Sequence, residues 1–243
     1  MKDKILKDIR YYESDKPNIE GLSMPGSLGR IFTPTKETNY IGQRIARKLN
    51  ELKYSLGACD HVYINLTTVL NEGKIEASNR NINKAIKYID FGVNQSKFNA
   101  LTDEQKNDFL QSSTIDIFRT ISNDNNLMPV NETVRQLLLF GTEMIIHYKT
   151  KETQSYHIDI YYQIAPKNSY TKAIVEYQDK KINARYRATF RLQFYDDIYP
   201  LVDTITIKDD TIILNPKKSF RADLYNERYK TPIELKFNSF EKF

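Results

Sequence analysis

The spacing of apolar residues changes character near the middle of the chain. From Tyr40 onward, Ile41, Ile45, Leu49, Leu52 and Leu56 recur at steps of three and four, which puts them on one face of a helix with Gly57 as its stop. Before it, Ile5, Leu6, Ile9 and Tyr12 make a short amphipathic stretch, and residues 21–29 read as a loop. Val62, Ile64 and Leu66 alternate with more polar neighbours, predicting a strand over 61–67 ahead of the turn Asn71-Glu72-Gly73; residues 86–93 read as a second strand. Thr102 with Gln105 three positions later opens a capped helix whose stripe is Phe109, Leu110, Ile117, Phe118 and Ile121. Pro129 and Asn131 start a shorter helix that Gly141 ends.

Beyond residue 143 the period falls to two. Strands are predicted over 144–149, 156–165, 170–178 and 182–194, joined by connections of hairpin length, so an antiparallel meander follows. In the last of them Ile182, Ala184, Tyr186, Ala188, Phe190, Leu192 and Phe194 share one parity, and Asn183, Arg185, Arg187, Thr189, Arg191 and Gln193 the other. The first set should face a core and the second water. Two short strands around Asp209-Asp210 and a helical turn at Phe220, Leu224 and Tyr225 complete the pattern. The expected fold class is α+β: N-terminal helices with a small sheet, followed by an antiparallel β-meander. Charge is spread evenly and no repeat or long linker appears, so a single domain over 1–243 is expected, with 1–141 and 142–243 as its natural subdivision.

Composition narrows the chemistry. A net charge of +5 on 243 residues is too small to demand a nucleic-acid partner, and 17 Tyr with 12 Phe argue for a folded chain. No apolar run approaches the roughly 20 residues that span a bilayer, and the first residues lack a leader core, so no membrane association and a cytoplasmic location are expected. One cysteine and three histidines supply no set at zinc spacing, so neither a metal nor another cofactor is expected.

Four local patterns carry candidate chemistry. Arg185, Arg187 and Arg191 form a guanidinium row on one strand face, at roughly 7 Å per two-residue step. It suits phosphates or a partner's carboxylates, while the bland reading pairs the arginines with Glu176 on the next strand. No aromatic shares that face within the strand, so the stacking platform of a single-strand nucleic-acid binder is missing from it. His157 and Asp159 share a face, and a four-residue hairpin loop can bring His147 beside them as an acid–base cluster or as a plain polar cross-strand pair. Cys59-Asp60-His61 crowds a nucleophile, an acid and a base, but alternation keeps Asp60 from orienting His61, so a buried cysteine entering a strand is the better reading. Gly26-Ser27-Leu28-Gly29-Arg30 lacks the Gly-Lys-Ser/Thr ending of a phosphate loop and reads as surface.

The succession Val62-Tyr63-Ile64-Asn65, Lys87-Tyr88-Ile89-Asp90-Phe91-Gly92-Val93 and Phe98-Asn99-Ala100-Leu101-Thr102-Asp103-Glu104-Gln105-Lys106 resembles segments of immunity proteins encoded beside bacterial polymorphic toxins. The resemblance covers residues 61–121, and it implies a protein that neutralises a cognate toxin by stoichiometric binding and carries over no catalytic residue. Many immunity proteins against nucleases are acidic, and the positive charge here departs from that. Abundant tyrosines and the lack of a convergent catalytic set point the same way, to a protein-binding module with Arg185, Arg187 and Arg191 as partner-binding residues. The competing expectations are nucleic-acid binding by the basic strand face and a hydrolase built on His147, His157 and Asp159.

Overall fold

A computed structural model describes residues 3–243, apart from the side chain of Asn125; Met1 and Lys2, which open the stretch read above for a leader, lie outside the described residues. The chain is of the α+β class and divides into two compact units, Met1–Leu139 and Phe140–Phe243.

The first unit is built on a five-stranded mixed sheet. Its three inner strands, β1 (Asp8–Ser14), β3 (His61–Thr67) and β5 (Ile86–Gly92), run parallel, while β2 (Gly26–Ser27) and β4 (Ile75–Ala77) are short antiparallel edges. The helix α1 (Thr38–Glu51) is the crossover from β1 to β3 and buries Ile41, Ile45 and Leu49, as its spacing predicts. It ends earlier than Gly57, because Lys53 takes a left-handed φ of 61° and turns the chain, which removes Leu56 from the helix. Gly42 lets α1 lie against the sheet, since a Cβ there would come within 2.8 Å of the Ile9 carbonyl oxygen.

The amphipathic stretch near the N-terminus proves to be β1. Ile9, Tyr11 and Glu13 are buried at alternate positions, and pairing with β3 over seven residues fixes what local spacing left open. The helices α2 (Gln95–Ala100) and α3 (Asp103–Ile121) follow; α3 opens on the predicted capping box, with Thr102 accepting from the Gln105 N–H and Gln105 from the Thr102 N–H. The helix α4 (Asp124–Phe140) begins before Pro129 and carries it inside, at the cost of one ladder hydrogen bond.

A glutamate holds the loop that the sequence predicts as plain surface. The Glu13 carboxylate, 3% exposed, accepts from the backbone N–H groups of Gly29, Arg30, Ile31 and Phe32 at 3.0–3.2 Å. The amide array of this loop is filled by the chain's own anion.

The second unit carries the predicted meander. β6 (Ile146–Glu152), β7 (Tyr156–Tyr162), β8 (Lys172–Asp179) and β9 (Ala184–Arg191) pair antiparallel in sequence order, and β13 (Glu241–Lys242) adds to the far edge of β9. The strands β10 (Thr204–Lys208), β11 (Thr211–Asn215) and β12 (Ile233–Lys236) form a second, three-stranded sheet, and α5 (Ile198–Leu201) and α6 (Phe220–Asn226) complete the unit. Ile158, Ile160, Tyr162, Ala173, Val175, Ala188 and Leu192 from the meander are buried, as are Ile198, Leu201, Ile205, Ile212 and Leu214. Tyr162 and Tyr199 join the layers through a hydroxyl contact of 2.9 Å.

The parity read for β9 holds in its middle and fails at its ends. Ala184, Ala188 and Leu192 are buried and Tyr186 and Phe190 partly so, but Ile182 is 66% and Phe194 55% exposed. Both lie outside the paired strand, and the Phe194 ring meets the Arg228 guanidinium at 5.1 Å rather than an apolar layer.

Candidate functional site

Register places the charged residues of the meander in rows across its outer face. Thr150, Asp159, Glu176, Arg187 and Glu241 stand opposite one another on successive strands. The adjacent row is Glu152, His157, Gln178 and Arg185. In an antiparallel sheet such partners share a face, so two features that lie far apart in sequence, the arginine row and the histidine–aspartate pair, meet on one surface.

A bulge completes the cluster. The β6–β7 register shifts between His147 and Lys149, so the extra residue, Tyr148, restores His147 and Thr150 to the same face despite their odd separation. His147 Nε2 lies 2.8 Å from Thr150 Oγ1 and 3.1 Å from Asp159 Oδ1, and His157 Nε2 lies 2.7 Å from Asp159 Oδ2. The Thr150 hydroxyl donates to Asp159 as well. A carboxylate only accepts, so both imidazoles present a protonated Nε2 to it. The histidines are thus not a level cross-strand pair: His147 stands opposite Tyr161 and His157 opposite Glu152, and Asp159 bridges them.

Burial pushes the Asp159 carboxyl up, but the bonds from Thr150, His157 and His147 together outweigh it and hold the group below its ordinary value. Glu152 is also held down, chiefly by the hydrogen bond from Lys180. Among the described residues, no group of three or more His, Cys, Asp or Glu side chains is arranged to hold a metal ion.

The three arginines have different fates. Arg187 donates to Glu176 from Nη2 at 2.6 Å and Nε at 3.1 Å, the pairing anticipated as the bland alternative, and its guanidinium lies 4.3 Å from the Phe243 ring centre. Arg191 sits 5.6 Å from the Tyr170 ring. Arg185 is exposed and makes no side-chain hydrogen bond or ion pair among the described residues. It borders a cleft of about 200 Å³ together with His157, Asp159, Glu176, Gln178 and Phe243. The aromatic partners missing from β9 itself are therefore delivered by Tyr170 and Phe243 from other segments, which no local pattern could reveal.

The other candidate motifs resolve differently. Asp60 Oδ1 does bond His61 Nδ1, at 2.8 Å, and Asp60 also pairs with Lys7 at 3.0 Å. Strand alternation does not separate the two side chains because Asp60 precedes the regular strand. Cys59 is partly exposed rather than buried, its Sγ 3.7 Å from the Lys84 carbonyl oxygen, and takes no part in that pair. Among the described residues, no helix is long and apolar enough to cross a membrane. Comparison with known proteins finds no matching family model, no similar curated protein and no similar solved structure.

Proposed function

We propose that the chain is a protein-binding module that neutralises a partner by stoichiometric contact, in the manner of an immunity protein, with the outer face of the meander as its docking surface. The observation that carries the reading is the exposed set of arginine–aromatic pairs along β9: Arg187 against Phe243 and Arg191 against Tyr170, beside the unpaired Arg185. Arginine and large aromatics are the side chains that dominate binding energy at protein interfaces, and rings that hold guanidinium groups in place lower the entropy lost on docking. On this face Asp159 is engaged by two imidazoles, Glu176 by Arg187 and Glu152 by Lys180, and Glu241 stands opposite Arg187, so Arg185 is the arginine left open to a partner's charge. A partner presenting carboxylates fits it, which agrees with the chain's own positive balance.

The product of the gene next to the one encoding this chain is the partner to test. Calorimetry should give one-to-one binding, and joint replacement of Arg185, Arg187 and Arg191 by Ala should weaken it at least tenfold without lowering the melting temperature of the sheet by more than a few degrees. Lack of binding, or unchanged affinity of the triple variant, refutes the reading.

A hydrolase is the second reading, favoured by one observation: His157 and Asp159, joined at 2.7 Å, line the same cleft as Arg185. Turnover of a phosphodiester or ester substrate that is lost in His157→Ala would replace the inhibitor reading with it.

A further inference from the structure

The open edge of β9 offers a different mode of recognition. In the β8–β9 pair, Leu192 N–H donates to the Thr171 carbonyl, so the even-numbered residues of β9 spend their backbone groups on β8. Phe243 N–H donates to the Arg185 carbonyl, which shows that the odd-numbered residues face the opposite edge. There β13 pairs only with Tyr186 and Arg187. At the far end, Gln193 N–H donates to the Tyr229 hydroxyl at 2.7 Å. Between these two ends the N–H and C=O groups of Thr189 and Arg191 point outward and meet no partner among the described residues.

Exposed edges are ordinarily guarded by charged side chains, and β9 is rich in arginine. Here the guard of the open stretch leans away from the edge: Arg191 lies against Tyr170, in the segment leading into β8, while Arg187, held between Glu176 and Phe243, stands where β13 already covers the edge. Thr189 and Arg191 are exposed, and a row of cations borders them on one face of the sheet. The chain itself shows the matching chemistry, for β13 sets Glu241 opposite Arg187.

We infer that the edge of β9 at Thr189 and Arg191 is a strand-addition site, and that its occupant is an extended segment of a partner protein with acidic residues at alternate positions. Main-chain hydrogen bonds to Thr189 and Arg191 supply the affinity, and the alternate carboxylates, all on the arginine-bearing face, supply the selectivity. The gap between Arg187 and Gln193 spans about 20 Å, room for roughly five residues. This deepens the protein-binding reading, resting on it for the partner's existence but not for the state of the edge.

The test uses the whole chain and a five-residue peptide alternating Glu with Val or Thr, with its Lys-for-Glu counterpart as control. In the free protein, amide hydrogen exchange at Thr189 and Arg191 should be fast, at least a hundredfold faster than at Ala188 and Phe190. Saturating Glu peptide should slow exchange at Thr189 and Arg191 at least tenfold, and the Lys peptide should bind at least tenfold more weakly. Thr189→Pro, which removes an N–H that no native bond uses, should abolish the peptide effect while the melting temperature holds. Protected amides at Thr189 and Arg191 in the free protein, equal binding of both peptides, or no peptide-dependent protection overturns the inference. Protection that grows with protein concentration alone, with a dimer in sedimentation, overturns it in favour of a second copy of the chain. Binding of the neighbouring gene's product with Thr189 and Arg191 still unprotected would end this proposal and leave the inhibitor reading standing.

Discussion

Removing the Glu13 carboxylate should unseat the loop it holds. Four backbone amides converge on that carboxylate, and two of them, Ile31 and Phe32, belong to buried residues. In Glu13→Ala those two donors lose their acceptor in a place water does not readily reach, while the amides of exposed Gly29 and Arg30 can turn to solvent. An orphaned buried donor costs about 1–3 kcal/mol, so the variant should lose about 2–6 kcal/mol. Against the roughly 5–15 kcal/mol that holds an ordinary domain together, this is a large fraction. Glu13→Gln should move stability in the same direction, because the side-chain amide sets an NH2 donor against backbone donors. Urea unfolding of wild type and both variants measures the loss, and hydrogen exchange at Ile31 and Phe32 locates it. A Glu13→Ala protein within about 0.5 kcal/mol of wild type, with those two amides still protected, would show that the carboxylate is not what organises the loop.

Other expectations address the two units separately. Because the folded Asp159 carboxyl lies below its unfolded value of about 3.9, its stabilising effect is fully present above about pH 4 and is lost as pH falls through the folded value. Asp159→Asn should accordingly narrow the gap between urea midpoints at pH 6 and pH 3, and an unchanged gap would show that the two-histidine clamp is not felt. Leu192, 1% exposed, should cost about 2–5 kcal/mol when cut to Ala, whereas Phe194→Ala, at an exposed site, should cost less than about 1 kcal/mol; equal losses in calorimetric melting would contradict the burial pattern. Gly92→Ala should lower the melting temperature sharply, since its Cβ would fall 1.9 Å from the Asn71 carbonyl oxygen, and a neutral result would mean that the turn at residue 71 yields freely.

The outer face is assembled as linked networks. Asp159 is tied to two imidazoles and a hydroxyl, and Glu176 to a guanidinium that also touches Phe243. Neighbours bound in one network do not contribute additively, so His147→Ala and His157→Ala together should differ from the sum of the single changes.

Local pattern alone determined the elements whose residues satisfy each other within a few positions. The α3 capping box, the apolar face of α1 through Leu49 and the two-residue period of the meander are of this kind, because helix caps and strand parity depend on neighbours three, four or two residues away. Tertiary structure decided the rest. β1 was hidden because Ile9 and Tyr12 suit a helical spacing as well, and only a parallel partner fifty residues on selects the strand. Glu13 carried no local signal, since its four donors come from a loop some sixteen residues away. The candidate site was visible as pieces: His157 with Asp159, and Arg185 with Arg187 and Arg191. Their union depends on strand register, on the bulge at Tyr148 and on rings from Tyr170 and Phe243, and these are set by pairing across the sheet rather than by any run of adjacent residues.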